Sequence, residues 1–183
     1  MKAKAYQKPE KTFRNIKNKQ LNFNQVISAI IGFIKEAPDY HYKLSIGSDS
    51  QSRLNKSVMV SAIHVHRIGR GAIGFITYQK YNRKFNSLRE KIFSETTQTL
   101  EIACMFTPEV MKALITPFLK TNSGEINFEF HLDIGKKGAT RDLINEMVAI
   151  AKSTPFKPTI KPDSYTASTY ADRHTKGVYR FKD

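Results

Sequence analysis

Apolar positions along the chain change their period several times, and each change marks an element. "NFNQVISAIIGFIKEA" sets Phe23, Val26, Ile27, Ile30, Ile31 and Ile34 at helical spacing and stops before Pro38, which predicts an amphipathic first helix. Three strand-like runs follow: residues 43–49, "SVMVSAIHVHRI" (57–68) and "GAIGFITYQKYN" (71–82). Gly69-Arg70 is a hairpin signal and the polar "SQSRLNK" suits a second antiparallel turn, so the three runs predict a meander. The period then becomes helical over "NSLREKIFSETTQTLEIACMF", with Leu88, Ile92, Leu100, Ala103 and Cys104 toward the core, and Pro108 opens a further helix over 108–119. "INFEFHLDIG" (126–135) alternates as a fourth strand, and "GATRDLINEMVAIAKS" returns to helix. "KPTIKP" (157–162) reads as a short fifth strand, and "SYTASTYADRHTK" holds a last helix.

This order predicts an α/β fold: a mixed five-stranded sheet, strands 1–3 antiparallel and strands 4 and 5 parallel to strand 1, flanked by helices with one extra at the N-terminus. Right-handed crossovers bring the fourth strand beside the first and cover both faces.

Composition narrows the partners. The chain has 183 residues, 40% of them apolar, which suits one domain with its own core. The longest apolar run, "VISAIIGFI", is too short to span a bilayer, and the charged N-terminus has no apolar stretch behind it to act as a secretory signal. A single cysteine excludes an internal disulfide framework and fits a reducing, cytoplasmic setting. Thirty Lys and Arg against sixteen Asp and Glu give a net charge of +14, a field that attracts polyanions, nucleic acid first among them. Seven of those basic residues fall in residues 1–20 beside Glu10 alone, so residues 1–21 are expected to form a basic arm and 22–183 a single domain.

Two acidic residues stand out against this background. Asp49 in "KLSIGSDSQS" and Asp133 in "HLDIG" are each read as ending a strand, and parallel neighbours would place them side by side where α/β sheets bind ligands. Two desolvated carboxylates at close range raise each other's pKa unless a cation intervenes. Hard oxygen ligands favour Mg²⁺ or Mn²⁺, and an acidic metal pocket in a basic surround suits phosphodiester chemistry.

"IGSDSQ", "SETTQTLEIA", "HLDIGKKG" and "KPDSYTASTYADRHTK" together resemble the YkuK-type, ribonuclease H-like proteins of bacteria, over about residues 22–176. "STYADRH" is similar to the "NExAD" signature that carries the last carboxylate of ribonuclease H enzymes. The resemblance implies a ribonuclease H-like sheet and four metal-holding, catalytic carboxylates: Asp49, Glu95, Asp133 and Asp172, with Glu101 in reserve for the helix position. It implies two ions, Mg²⁺ or Mn²⁺, and in-line attack of water on a phosphodiester of RNA, DNA or a hybrid. One departure is that the chain has "DSQ" where ribonuclease HI has "DGS", and lacks the His-bearing loop before the final helix, so hybrid specificity does not carry over. A non-catalytic nucleic-acid-binding module on the same fold, or an assembly protein, are the alternatives.

Each remaining feature has a bland competitor. "DIGKKGATR" lacks the spacing of a nucleotide phosphate loop, though its amides with Lys136, Lys137 and Arg141 suit a nucleic-acid phosphate, as Arg173 and His174 do beside Asp172. Asp163 reads as the cap of the last helix, and Cys104 as core packing. His64 and His66 share a strand face without further zinc ligands, and Tyr78, Tyr81, Arg83 and Phe85 serve equally as base-stacking groups or as an aromatic strand end.

Overall fold

The computed structural model describes residues 11–17, 20–121, 123–136 and 140–178. Its strands are β1 (Phe13–Arg14), β2 (Gln20–Leu21), β3 (His41–Arg53), β4 (Lys56–Arg67), β5 (Ala72–Tyr81), β6 (Glu125–His131) and β7 (Lys157–Thr159). They form one sheet in the order β2-β1-β5-β4-β3-β6-β7. β3, β4 and β5 are an antiparallel meander, while β6 runs parallel to β3 and β7 parallel to β6. The sheet therefore has seven strands rather than five. The two additional strands come from the stretch that composition assigns to the arm, because Phe13 and Leu21 are apolar anchors among its lysines and both are buried. Residues 1–10 lie outside the described residues.

The helices are α1 (Phe23–Lys35), α2 (Leu88–Ala103), α3 (Pro108–Ile115), α4 (Ile144–Ala151) and α5 (Asp172–Val178). α1 starts where Asn22 and Gln25 cap each other, side chain to backbone, at 2.9 Å both ways. Its buried stripe, Phe23, Val26, Ile27, Ile30 and Ile34, lies on the main core with Tyr42, Leu44 and Ile46 of β3. Alternation along β3 sends Leu44, Ile46, Ser48 and Ser50 toward α1 and α2, and Ser45 and Asp49 toward the opposite face. There a wide π-helical turn, Thr166–Ala171, leads directly into α5. A smaller cluster of Val58, Val60, Ala62, Ile76 and Ala171 seats that segment. At about 25 cal/mol per Å² of apolar surface, this clamp is far weaker than the main core.

Local details refine the expected boundaries. The β3–β4 ladder runs unbroken to Arg53↔Lys56, so the turn is Leu54-Asn55 alone, with Leu54 at φ 52°. Asp49 is consequently inside a long strand, not at its end. β6 stops at His131, which leaves Asp133 two residues past it. Leu88 and Cys104 are exposed, because the first turn of α2 precedes its buried positions, which run from Ile92 to Ala103, and Cys104 is the cap just past the last of them. The last helical segment opens without a side-chain cap, so Asp163 does not cap it. Among the described residues, no single helix is long and apolar enough to cross a membrane.

Candidate active site

The parallel ladder sets the level of the first two carboxylates. Its last pair is Gly47↔His131, and Asp49 and Asp133 each lie two residues beyond it. Backbone bonds past the strand end hold Asp133 in place: Leu132 N donates to Thr159 O at 2.9 Å and Lys161 N to Ile134 O at 2.8 Å. Where β6 leaves, β3 has one open side, and α2 fills it. Glu95 enters from α2 and accepts hydrogen bonds at Oε1 from Ser50 N (2.8 Å), Ser50 Oγ (2.7 Å) and Lys91 Nζ (2.5 Å). One turn further along α2, Thr99 donates to Ser48 Oγ at 2.8 Å, which fixes the helix on the strand. Asp172 is the first residue of α5, and Thr175, one turn on, hydrogen-bonds Asp49.

The electrostatics show that these groups sense one another. Burial pushes the Asp49 carboxyl up; Lys91 and Thr175 pull it down, and the charges of Asp172 and Asp133 add to the rise. Burial pushes Glu95 up to about 7 against the pull of Lys91 and Ser50, with Asp49 adding to the rise. Lys91 would lose charge through burial, but Glu95, Asp49 and Asp133 outweigh this and raise its pKa. Three carboxylates thus converge around one ammonium group, and Asp172 is close enough to act on Asp49.

Lys91 lies 2.5 Å from Glu95 Oε1 and 3.6 Å from Asp49 Oδ1. Lys161 Nζ lies 2.9 Å from Asp133 Oδ1. Neither lysine was expected from the sequence reading. Lys91 was legible, since it stands one helical turn before Glu95, the spacing at which a Lys and a Glu meet. Lys161 was not, because nothing local pairs it with Asp133.

Glu95 rather than Glu101 faces the aspartates. Glu101 points to the sheet edge, where Lys11 Nζ reaches it at 2.9 Å. Of the expected nucleic-acid contacts, Lys136 and Arg173 are exposed, Arg141 pairs with Asp142 at 3.2 Å, and Lys137 lies outside the described residues. His174 packs its ring against Tyr170 at 5.1 Å between centroids. His64 is buried and hydrogen-bonded to the Tyr165 hydroxyl, which makes it part of the second-face packing. Arg83 pairs with Glu90 at 2.5 Å and lies over Phe85, so that aromatic strand end is already engaged internally.

A divalent cation fits this donor set by chemistry. All the candidate ligands are hard oxygens; Glu95 Oε2 is buried without a hydrogen bond among the described residues, and Asp133 Oδ1 is buried with the Lys161 ammonium as its ion-pair contact. As the side chains stand, no three of the described His, Cys, Asp or Glu residues form a ready ligand group, and ammonium groups pair with three of the four carboxylates, Asp49, Glu95 and Asp133. A cation bound among these carboxylates would compete with Lys91 and Lys161 for the same oxygens.

Comparison with known proteins agrees with the topology. The model of the family described as Ribonuclease H-like matches residues 25–176. A Bacillus subtilis (strain 168) protein, called "Uncharacterized protein YkuK", is 42% identical over 168 residues, covering 90% of this chain and 96% of the relative. No solved structure gives a significant match. With its meander, its parallel β3–β6 pair and a family match that runs from α1 into α5, the chain belongs to the ribonuclease H-like family.

Proposed function

We propose that the chain is a metal-dependent nuclease that hydrolyses phosphodiester bonds of RNA or DNA with two Mg²⁺ or Mn²⁺ ions. The observation that carries this reading is the mutual approach of Asp49, Glu95, Asp133 and Asp172 at the open side of β3, in a chain of net charge +14. Bound divalent ions supply Lewis-acid charge at the phosphate and acidify the attacking water. The residues named hold those ions, and four carboxylates carry the charge of two of them. Before loading, Lys91 and Lys161 keep the cluster partly neutral, which limits the repulsion that burial would otherwise impose. Ser50 and Thr175 orient Glu95 and Asp49, and the basic surface draws in the nucleic-acid backbone.

The same two lysines support a second reading. A cluster already neutralised by ammonium groups suits a binding module that retains the fold without turnover. Incubation of labelled single-stranded, duplex and hybrid substrates with Mg²⁺ or Mn²⁺ separates the two. Cleavage by the wild type that drops at least about a hundredfold in Asp49→Asn, the loss of several kcal/mol of transition-state stabilisation, supports the nuclease. Equal cleavage by both proteins indicates contamination, and cleavage by neither leaves the binding module.

A further inference from the structure

On the face of the sheet that carries α5, the β3–β6–β7 side is left open. A groove of about 940 Å³ runs there, lined by Lys43, Lys136, Lys157 and Lys161 together with Glu129 and Asp163. Its polarity follows from strand alternation. Lys43 and Glu129 point out of the same face as Ser45, and Lys157 pairs in register with Glu129 on the edge strand. Gly135, Pro158 and Pro162 also line the groove, and no large exposed apolar residue does.

The charges in the groove are not equally committed. Lys43 is engaged with Glu129 at 3.0 Å, and Glu129 in turn with His131 Nε2 at 2.7 Å. Lys161 is engaged with Asp133 at 2.9 Å, so one wall of the groove is continuous with the carboxylate cluster. Lys136 and Lys157 are exposed and make no ion pair among the described residues. A concave track thus leads from two unneutralised ammonium groups to the half-buried carboxylate of Asp133.

From this placement we infer that the groove is a phosphate-binding track for the nucleic-acid strand whose reacting phosphate lies at Asp133, with Lys136 and Lys157 as its anchoring contacts. The inference rests on the proposed nuclease reading for its direction, but not for its existence. A membrane surface is a poorer occupant, since the groove is concave and its one large apolar lining residue, Ile160, is half-buried and does not project for insertion. The ligand is recognised by its phosphodiester backbone, so the contacts fix position and carry no base preference.

The test is fluorescence anisotropy of a labelled single-stranded oligonucleotide, in EDTA, across a salt series. The full-length chain is compared with Lys136→Gln/Lys157→Gln and with Lys112→Gln/Lys120→Gln, whose exposed lysines belong to α3 and the turn after it on the other face. Two lost phosphate contacts are expected to flatten the log–log salt slope by about 1.4 and to weaken binding by at least roughly tenfold at 0.1 M salt, with the control pair close to wild type. Equal losses in the two pairs, an unchanged slope in the groove pair, or no binding by the wild type would each overturn the inference. So would an equal loss of binding to anionic lipid vesicles by the groove pair. Because no metal is present, a failed cleavage assay leaves this result standing, and a failed binding result does not touch the carboxylates.

Discussion

Replacing Glu95 with Gln is expected to stabilise the metal-free protein while removing a ligand from the proposed site. Glu95 titrates in the folded chain at about 7, raised from an ordinary 4.5 chiefly by burial, even with Lys91 beside it. An acid whose folded pKa is raised contributes full stability below its unfolded pKa and loses that contribution as pH rises through the folded value. The window here is pH 4.5 to 7, and a shift of that size amounts to about 3 kcal/mol. Glutamine resembles the protonated acid in shape and can still accept from Ser50 N and Oγ through its carbonyl oxygen. Glu95→Gln should therefore gain up to about 3 kcal/mol at pH 8 and almost nothing at pH 4. For a domain of this size, that corresponds to a rise of about 6–12 °C in Tm at pH 8. Urea denaturation in EDTA at both pH values, with matched m-values, measures the difference. A variant less stable than wild type at pH 8, or a gain equal at the two pH values, would refute the idea that an ionised, desolvated Glu95 strains the fold.

Removing the counter-charge should act in the opposite direction: Lys91→Met is expected to cost about 2 kcal/mol at pH 8 and less at pH 4, where Glu95 is neutral, measured by the same denaturation. On the second face, burial, with His66 and His131 adding to it, lowers the pKa of His64 to about 4. A base with a lowered folded pKa supports stability above its unfolded value, 6.5, and that support fades as pH falls toward 4, by about 3 kcal/mol in all. His64→Gln should accordingly lose less stability than wild type between pH 6.5 and 4; parallel pH–stability curves would contradict this. Deleting residues 1–10, which include Lys2, Lys4 and Lys8, should lower the salt slope of oligonucleotide binding by up to about 2 without a change in Tm.

Much of the fold was legible because its signals are local. The periods of "NFNQVISAIIGFIKEA" and "SVMVSAIHVHRI" name a helix and a strand without knowledge of their neighbours. The edge strands β1 and β2 were not legible, because a two-residue strand has no period and its lysines dominate the composition around Phe13 and Leu21. In the candidate site, Asp49 and Asp133 follow from topology, and the choice of Glu95 over Glu101 follows from which side of α2 meets β3. The lysines that neutralise the cluster divide by range. Lys91 is a helical neighbour of Glu95, whereas Lys161 meets Asp133 only after β7 has docked beside β6.

The wide turn at Thr166–Ala171 makes the length of that segment as consequential as its sequence. A π-helical turn holds about one residue more than an α-helical turn, so everything after it is rotated by about 100° from where a regular helix would put it. Asp172 and Thr175 ride on that offset together, and both act on Asp49. Losing a single residue from the turn would let it close as ordinary helix and swing both away at once. The acidic position contributed by α5 is in this sense set by how many residues the turn holds as much as by which residues they are.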